Sequence, residues 1–87
     1  MTKADFIDWL YFDRRHKVTT TTNDNGQKIY TARNGAECFT FGQATENASL
    51  VIRWIRYKPN GTPDHIKYFS NYADTVRHLD NKRRAKS

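Results

Sequence analysis

The spacing of apolar residues along this chain changes from helical to alternating and then back to helical. Near the start, apolar side chains recur three and four positions apart, as in an amphipathic helix: Phe6, Ile7, Leu10 and Tyr11, widened by Trp9 and Phe12. Thr2 is a favourable N-cap, and Asp5 three positions later completes a capping-box pattern. We therefore expect an N-terminal helix whose apolar face, including Trp9 and Phe12, packs in the core.

A three-stranded meander is predicted next, because β-branched residues follow and two Asn-Gly pairs interrupt them. Asn25-Gly26 and Asn34-Gly35 each favour a tight hairpin turn, which gives strands at 17–23, 27–33 and 36–41. If both turns are two-residue loops, register counting gives a packed face of Thr21, Tyr30, Ala32, Phe39 and Phe41. The opposite, wetter face then receives Thr20, Thr22, Ile29, Thr31, Arg33, Cys38 and Thr40.

The stretch 50–69, LVIRWIRYKPNGTPDHIKYF, has the strongest strand pattern and contains its own turn at Asn60-Gly61. Counting from that turn places Ile55 opposite Ile66, and these two define the face that we assign to the core, with Val51, Arg53 and Tyr68. The face assigned to the surface holds Ile52, Trp54, Arg56, His65, Lys67 and Phe69. A bulge near Pro59 or Pro63 would exchange the two faces.

A second helix is predicted after the hairpin. Ser70 or Asn71 can cap it, and Tyr72, Val76 and Leu79 form a narrow apolar stripe that suits docking on a sheet. The chain thus reads as one α+β domain over residues 1–87, with an N-terminal helix, an antiparallel sheet of about five strands (meander plus hairpin) and a C-terminal helix packed on one sheet face. A basic tail is expected to fray from about residue 82.

The charged and aromatic composition of the chain indicates a class of binding partner. Fifteen Lys and Arg against nine Asp and Glu give a net charge of +6, and in the hairpin the cations alternate with aromatic residues. Ordinary solvated surface is one explanation of such charge, and nucleic-acid binding is the other. On the second explanation, the expected contacts are Arg53, Trp54, Arg56, Lys58, His65, Lys67, Arg77, Lys82, Arg83 and Arg84.

Residues with catalytic or metal-binding chemistry are few. Cys38 is the only cysteine, and the three histidines fall in different predicted elements without paired spacing, so we expect no metal, no cofactor and no enzyme. The least unfavourable enzyme is a metal-independent ribonuclease, with His65 as acid or base beside Arg56 and Lys67. Arg53 and Arg56 break the longest apolar run and no secretory leader is visible, so we expect no membrane span and a cytoplasmic protein.

The segment IRWIRYKPNGTPDHIKYFSNYADTVRHL, residues 52–79, resembles the end of the arm-type DNA-binding domains of phage integrases, which have three strands and one helix. The likeness rests on residues 53–57, the Asn60-Gly61 turn, residues 67–69 and the helix from Ser70; the leading helix and the extra hairpin depart from that family. The order helix, sheet, helix also resembles double-stranded-RNA-binding domains and small toxin ribonucleases of that fold. The basic cluster that usually opens their second helix is absent, since SNYAD stands there.

Together these patterns predict a small basic, non-enzymatic protein that binds DNA or RNA through the cationic aromatic hairpin and the basic C-terminal helix. The alternative is a phage-type small inhibitor or adaptor that binds a host nucleic-acid-processing enzyme or a toxin. The chain is expected to be a monomer, or a homodimer formed through the Thr-rich edge strand.

Overall fold

The backbone of residues 1–85 and the side chains of residues 1–80 are described by a computed structural model. Its elements are α1 (Lys3–Asp8), continued by a π-helical turn (Trp9–Asp13), then β1 (Lys17–Thr22), β2 (Lys28–Asn34), β3 (Glu37–Gly42), β4 (Val51–Tyr57), β5 (Pro63–Phe69) and α2 (Tyr72–Ala85). The strands form one antiparallel sheet in the order β1-β2-β3-β4-β5. The predicted α+β architecture is confirmed.

Both helices begin at the caps that the sequence indicates. The Thr2 hydroxyl accepts a hydrogen bond from the Asp5 N–H at 3.2 Å, and the Asp5 carboxylate accepts one from the Thr2 N–H at 3.0 Å. These two hydrogen bonds lower the pKa of Asp5, and the bond from the Thr2 backbone has the larger effect. At α2 the Asn71 side-chain oxygen accepts a hydrogen bond from the Asp74 N–H at 2.8 Å, which makes Asn71 the residue that caps this helix.

The two helices cover the same face of the sheet, and aromatic rings fill the space between the layers. Phe6 stands at the centre, with its ring centroid 5.1 Å from that of Phe41 and 4.9 Å from that of Tyr72. The buried cluster consists of Phe6, Trp9, Leu10, Ala32, Phe39, Phe41, Ile52, Trp54 and Leu79. Large aromatic side chains thus supply the core of a small chain, as their buried area allows.

The β1 face was predicted wrongly, because the first turn is longer than two residues. Asn23 N–H donates to the Gln27 carbonyl at 2.9 Å, and Gly26 closes the loop at φ +80°. The extra loop residue shifts the pairing of β1 with β2 by one position, which exchanges the two faces of β1. Thr20 therefore pairs with Tyr30 on the helix-covered face, whereas Thr21 pairs with Ile29 on the opposite face. The second turn shifts the predicted pairing by two positions and leaves the faces of β2 and β3 as predicted.

The register of the β4–β5 hairpin is as predicted, but the helices cover the face that the sequence assigned to the surface. Ile55 is buried as predicted, at 8 % exposed, whereas Ile66 and Tyr68 of its face are exposed. Ile55 pairs with Ile66 and Arg53 with Tyr68, as counted. The core face is nevertheless that of Trp54, which is 3 % exposed, because Trp54 is paired with the buried Phe39 of β3. The hairpin pattern alone is ambiguous, and the neighbouring strand decides which face the helices cover.

Helix α1 also buries a narrower face than its pattern predicted. The side chains of Phe6, Trp9 and Leu10 are buried, but Tyr11 and Phe12 are 56 % and 64 % exposed, so the expectation that Phe12 packs in the core was wrong. A spacing of about 3.6 residues per turn already directs Tyr11 and Phe12 away from the face of Phe6 and Leu10. The helix ends in the π-helical turn that contains both residues. The fraying predicted from residue 82 concerns residues whose side chains lie outside the described part of the chain.

Candidate nucleic-acid interface

The helices pack on one face of the sheet, and no helix of the described residues packs on the other. Cys38 and Ile55 on that second face are nevertheless buried, each 8 % exposed. Two rows of cross-strand neighbours define it: Thr19, Thr31, Thr40, Arg53 and Tyr68, and then Lys17, Arg33, Cys38, Ile55 and Ile66. We call this surface the open face. The β1–β3 part is rich in threonine, the β4–β5 part is aliphatic and aromatic, and the charged side chains in these two rows are all cationic.

Arg53 and Tyr68 stand out on the open face because they are directly opposite each other on neighbouring strands. Both are exposed, Tyr68 by 63 %. They line a surface groove of about 570 Å³ between the sheet and the loop that joins β3 to β4. The other residues that line this groove are neutral, so Arg53 is its only charged group among the described residues.

The loop that forms the far wall of the groove is held by side-chain amides. Asn23 and Asn25 in the first turn donate to the Ala44 carbonyl at 2.9 and 3.0 Å, and Gln43 donates to the Ala48 carbonyl at 2.7 Å. A polar stretch without periodicity therefore folds back on the β1–β2 turn instead of extending into solvent. These three hydrogen bonds hold the loop beside the sheet and so form the groove.

The structure separates the contacts that the sequence predicted. Arg53 lies on the open face, whereas Arg56, His65 and Lys67 share the other side of the hairpin, near its free edge. Lys58 is exposed in the turn. The remaining contacts lie apart: Arg77 on α2, and Lys82, Arg83 and Arg84, whose side chains are outside the described residues.

Trp54 is buried and cannot present its ring as a stacking surface. Its indole N–H donates to the Glu37 carboxylate at 2.8 Å. Two predicted cations are engaged by carboxylates: Arg56 lies 3.2 Å from Asp64, and Arg77 lies 2.9 Å from Asp74. Exposed ion pairs of this kind contribute little to stability, but they reduce the positive charge available to a phosphate.

Tyr68 was wrongly assigned to the core, whereas Arg33 was correctly placed on the wetter face but was not among the expected contacts. The sequence does indicate which face is covered, because β3 must bury Phe39 and Phe41. Residues paired with these two on the neighbouring strands point to the same side of the sheet. Anchoring the faces on β3, the most apolar strand of the meander, would have placed Tyr68 on the same face as Arg33.

Glu37 forms a second polar site, on the helix-covered side. Its carboxylate accepts hydrogen bonds from the Arg14 guanidinium at 2.6 Å and from Trp54, and it lies 2.9 Å from Nε2 of His16. Burial alone would raise the pKa of Glu37, but the hydrogen bonds from His16, Arg14 and Trp54 outweigh burial and lower the pKa from 4.5 to about 2. Glu37 is therefore a charged anchor that joins the α1–β1 connection to the sheet.

No group of three or more His, Cys, Asp or Glu side chains within the described residues is arranged to hold a metal ion. None of the helices in that part of the chain has both the length and the apolar character that crossing a membrane requires.

Fold and surface together define a small α+β protein with a helix-covered sheet face and an open, cationic one. Comparison of the chain with protein-family models, with curated proteins and with solved structures finds no match.

Proposed function

We propose that this chain is a small, non-catalytic protein that binds single-stranded DNA or RNA on the open face. One observation carries the proposal: Arg53 and Tyr68 are cross-strand neighbours, both are exposed, and both line the same groove. A tyrosine ring that stacks on an unpaired base contributes about 1 to 3 kcal/mol. The adjacent guanidinium can bind the phosphate of that nucleotide through charge-assisted hydrogen bonds.

Unpaired strands suit this surface better than a duplex does. An open sheet lets splayed bases lie against aromatic and aliphatic side chains, whereas reading a duplex requires a helix or ribbon that enters a groove. Ile66 and Val51 on the open face are 54 % and 50 % exposed, which provides apolar area beside Tyr68. Arg33 and Lys17 extend the positive charge toward β1, along the path of a bound backbone.

Binding without catalysis is supported by the state of the buried acid. Glu37, which lies beside His16 and Arg14, has its pKa held at about 2, far below the near-neutral pKa that suits a general base, so it is a poor base. The ribonuclease alternative would use His65, whose neighbour Arg56 is paired with Asp64. Cleavage of labelled RNA that disappears in His65→Ala would replace the proposal with that alternative.

Fluorescence anisotropy with labelled 12-nucleotide DNA and RNA, single-stranded and duplex, tests the proposal directly. We expect single strands to bind more tightly than duplexes. The logarithm of the affinity should fall linearly with the logarithm of salt concentration, by about 0.7 for each phosphate contact. Tyr68→Ala should weaken binding about tenfold without unfolding the protein, since its ring is exposed. Absent binding, or binding indifferent to salt, would contradict the proposal.

A further inference from the structure

The two edges of the sheet are protected very differently. β5 begins with Pro63, has an irregular pairing beside Asp64 and carries Lys67, all of which discourage pairing with another strand. β1 pairs with β2 alone in the described sheet, and its pairing is regular from Lys17 to Thr22. After Val18 it consists of exposed threonines, which favour the extended conformation. β1 thus presents an unprotected row of backbone donors and acceptors.

A groove lies beside the start of this edge. It measures about 580 Å³ and is lined by Tyr11, Phe12, Arg15, His16, Lys17 and Val18. The rings of Tyr11 and Phe12 meet edge to face with centroids 4.9 Å apart, and more than half of each side chain is exposed. Large exposed aromatic residues that meet at a groove mark a binding surface more often than ordinary solvated surface.

The backbone at the groove adopts a conformation that has a cost. Arg15 has φ +59°, the left-handed region that residues with a side chain seldom adopt, and the cost is about 1 kcal/mol or more. The conformation reverses the chain between the π-helical turn and β1, and it keeps Arg15 and Lys17 on the groove. Arg15 and Lys17 give the groove positive charge, and no Asp or Glu is among the described residues that line it.

We propose that β1 pairs with an extended acidic segment of a partner protein, which adds a sixth strand and seats an apolar side chain against Tyr11 and Phe12. The backbone of β1 would supply the hydrogen bonds, and Arg15 would attract the acidic residues. A second copy of this chain fits less well, because each copy carries a net charge of +6 and the two would repel each other. The site does not include Arg53 or Tyr68, although Lys17 borders both surfaces, and it adds a protein partner to the proposed nucleic-acid interface.

Selection of random 12-residue peptides displayed on phage, with the full chain as target, tests this inference. The most enriched peptide would then be synthesised with a fluorescent label, together with a version in which Asp and Glu are replaced by Asn and Gln. We expect enriched peptides to be acidic and β-prone, and the neutral version to bind about tenfold more weakly. Amide hydrogen exchange should show that the peptide protects residues of β1.

Two variants assign the binding to the groove. Phe12→Ala and Arg15→Glu should each weaken peptide binding about tenfold, whereas Tyr68→Ala should leave it unchanged. Tyr68 is a matched control, because its exposed fraction of 63 % is close to the 64 % of Phe12. Thermal unfolding of each variant verifies that it is folded.

Several results would overturn the inference. These are the absence of enriched peptides, enrichment without acidic residues, or binding that neither groove variant weakens. Analytical ultracentrifugation of the peptide-free protein tests for a dimer. A dimer in which hydrogen exchange shows β1 to be protected would contradict the inference, because a second copy would then occupy the edge.

Discussion

At the scale of single residues, Glu37 connects sequence, fold and stability most directly. Its carboxylate joins Arg14 and His16, which precede β1, to Trp54 on β4. The Glu37 side chain is 15 % exposed and that of His16 is 1 % exposed, so the cluster is largely shielded from water. A carboxylate that is this buried stabilises the fold only while its donors remain in place.

The stability of the protein should therefore depend on pH in the acidic range. The pKa of Glu37 is lowered from 4.5 to about 2 on folding, so the unfolded chain binds the proton more readily than the folded one. The contribution, about 3 kcal/mol, is fully present above about pH 4.5 and is lost as the pH falls toward 2. Urea unfolding at pH 7, 4.5 and 3 measures this loss.

Substitution of Glu37 by Gln provides the test of this assignment. We expect Glu37→Gln to lower the free energy of unfolding at pH 7 by about 3 kcal/mol and to flatten its pH dependence between pH 4.5 and 2. Glu46→Gln, at an exposed loop carboxylate, is the control and should change stability by less than about 0.5 kcal/mol. A Glu37→Gln protein that keeps the wild-type pH dependence would show that another group is responsible.

At the scale of the elements, turn length determines which side chains are buried. Both Asn25-Gly26 and Asn60-Gly61 end three-residue loops, with Gly26 at φ +80° and Gly61 at φ +90°. In the first hairpin the extra residue moves β1 by one position, and its faces are exchanged. In the second, the pairing irregularity between Arg56 and Tyr57 restores the count, so the predicted register holds. An Asn-Gly pair therefore shifts the register in the first hairpin and leaves the predicted register in the second, and the local sequence does not distinguish the two cases.

The exchanged hairpin faces lead to opposite effects for two aromatic residues. Trp54→Ala should lower the free energy of unfolding by about 3 to 5 kcal/mol, because it leaves a cavity in the core and removes a donor to Glu37. Tyr68→Ala should change it by less than about 0.5 kcal/mol, since that side chain is exposed. Chemical denaturation compares the two. Similar losses would show that both faces of the hairpin are buried.

Gly42, at the end of β3, permits close packing against β2. A Cβ atom at this position would lie 2.7 Å from Cδ1 of Ile29 and 2.9 Å from the Lys28 carbonyl oxygen, and the latter is backbone that cannot easily move. Gly42→Ala should therefore destabilise the protein by about 1 to 3 kcal/mol. Thr45→Ala, in the exposed loop nearby, should be nearly neutral. A thermal unfolding midpoint for Gly42→Ala equal to that of wild type would contradict the packing observed here.

At the scale of the whole molecule, the order of the elements and the sheet topology were predictable from the sequence. The order of the elements follows from local signals in the sequence. These signals are the caps at Thr2 and Asn71, the three Asn-Gly pairs and the change in apolar spacing. The covered face of the hairpin was not predictable from its own residues, because both faces mix apolar and charged side chains. That choice depends on β3 and on the helices, which are distant in sequence.

The candidate site shows the same division. Arg53 was named as a contact from its charge, although its face was assigned to the core, and the structure places it on the exposed side. Trp54 was assigned to the surface although it is buried, and Tyr68 to the core although it is exposed. The groove at Tyr11 and Phe12 was not predicted, because the apolar pattern was interpreted as one wide buried face although these two rings lie at its margins. A site that depends on which face is covered can be located only after the sheet and helices are assembled.

On the proposed function, nucleic acid binds the open face and not the opposite side of the hairpin. Arg53→Glu and Lys67→Glu make the same change of charge on neighbouring strands, on opposite faces of the sheet. At 0.15 M salt, where charges are screened over about 8 Å, each should act mainly on its own face. Anisotropy titrations with a labelled single-stranded 12-mer should show that Arg53→Glu weakens binding about tenfold or more, whereas Lys67→Glu weakens it less than about twofold. An equal or larger loss for Lys67→Glu would contradict the proposed interface.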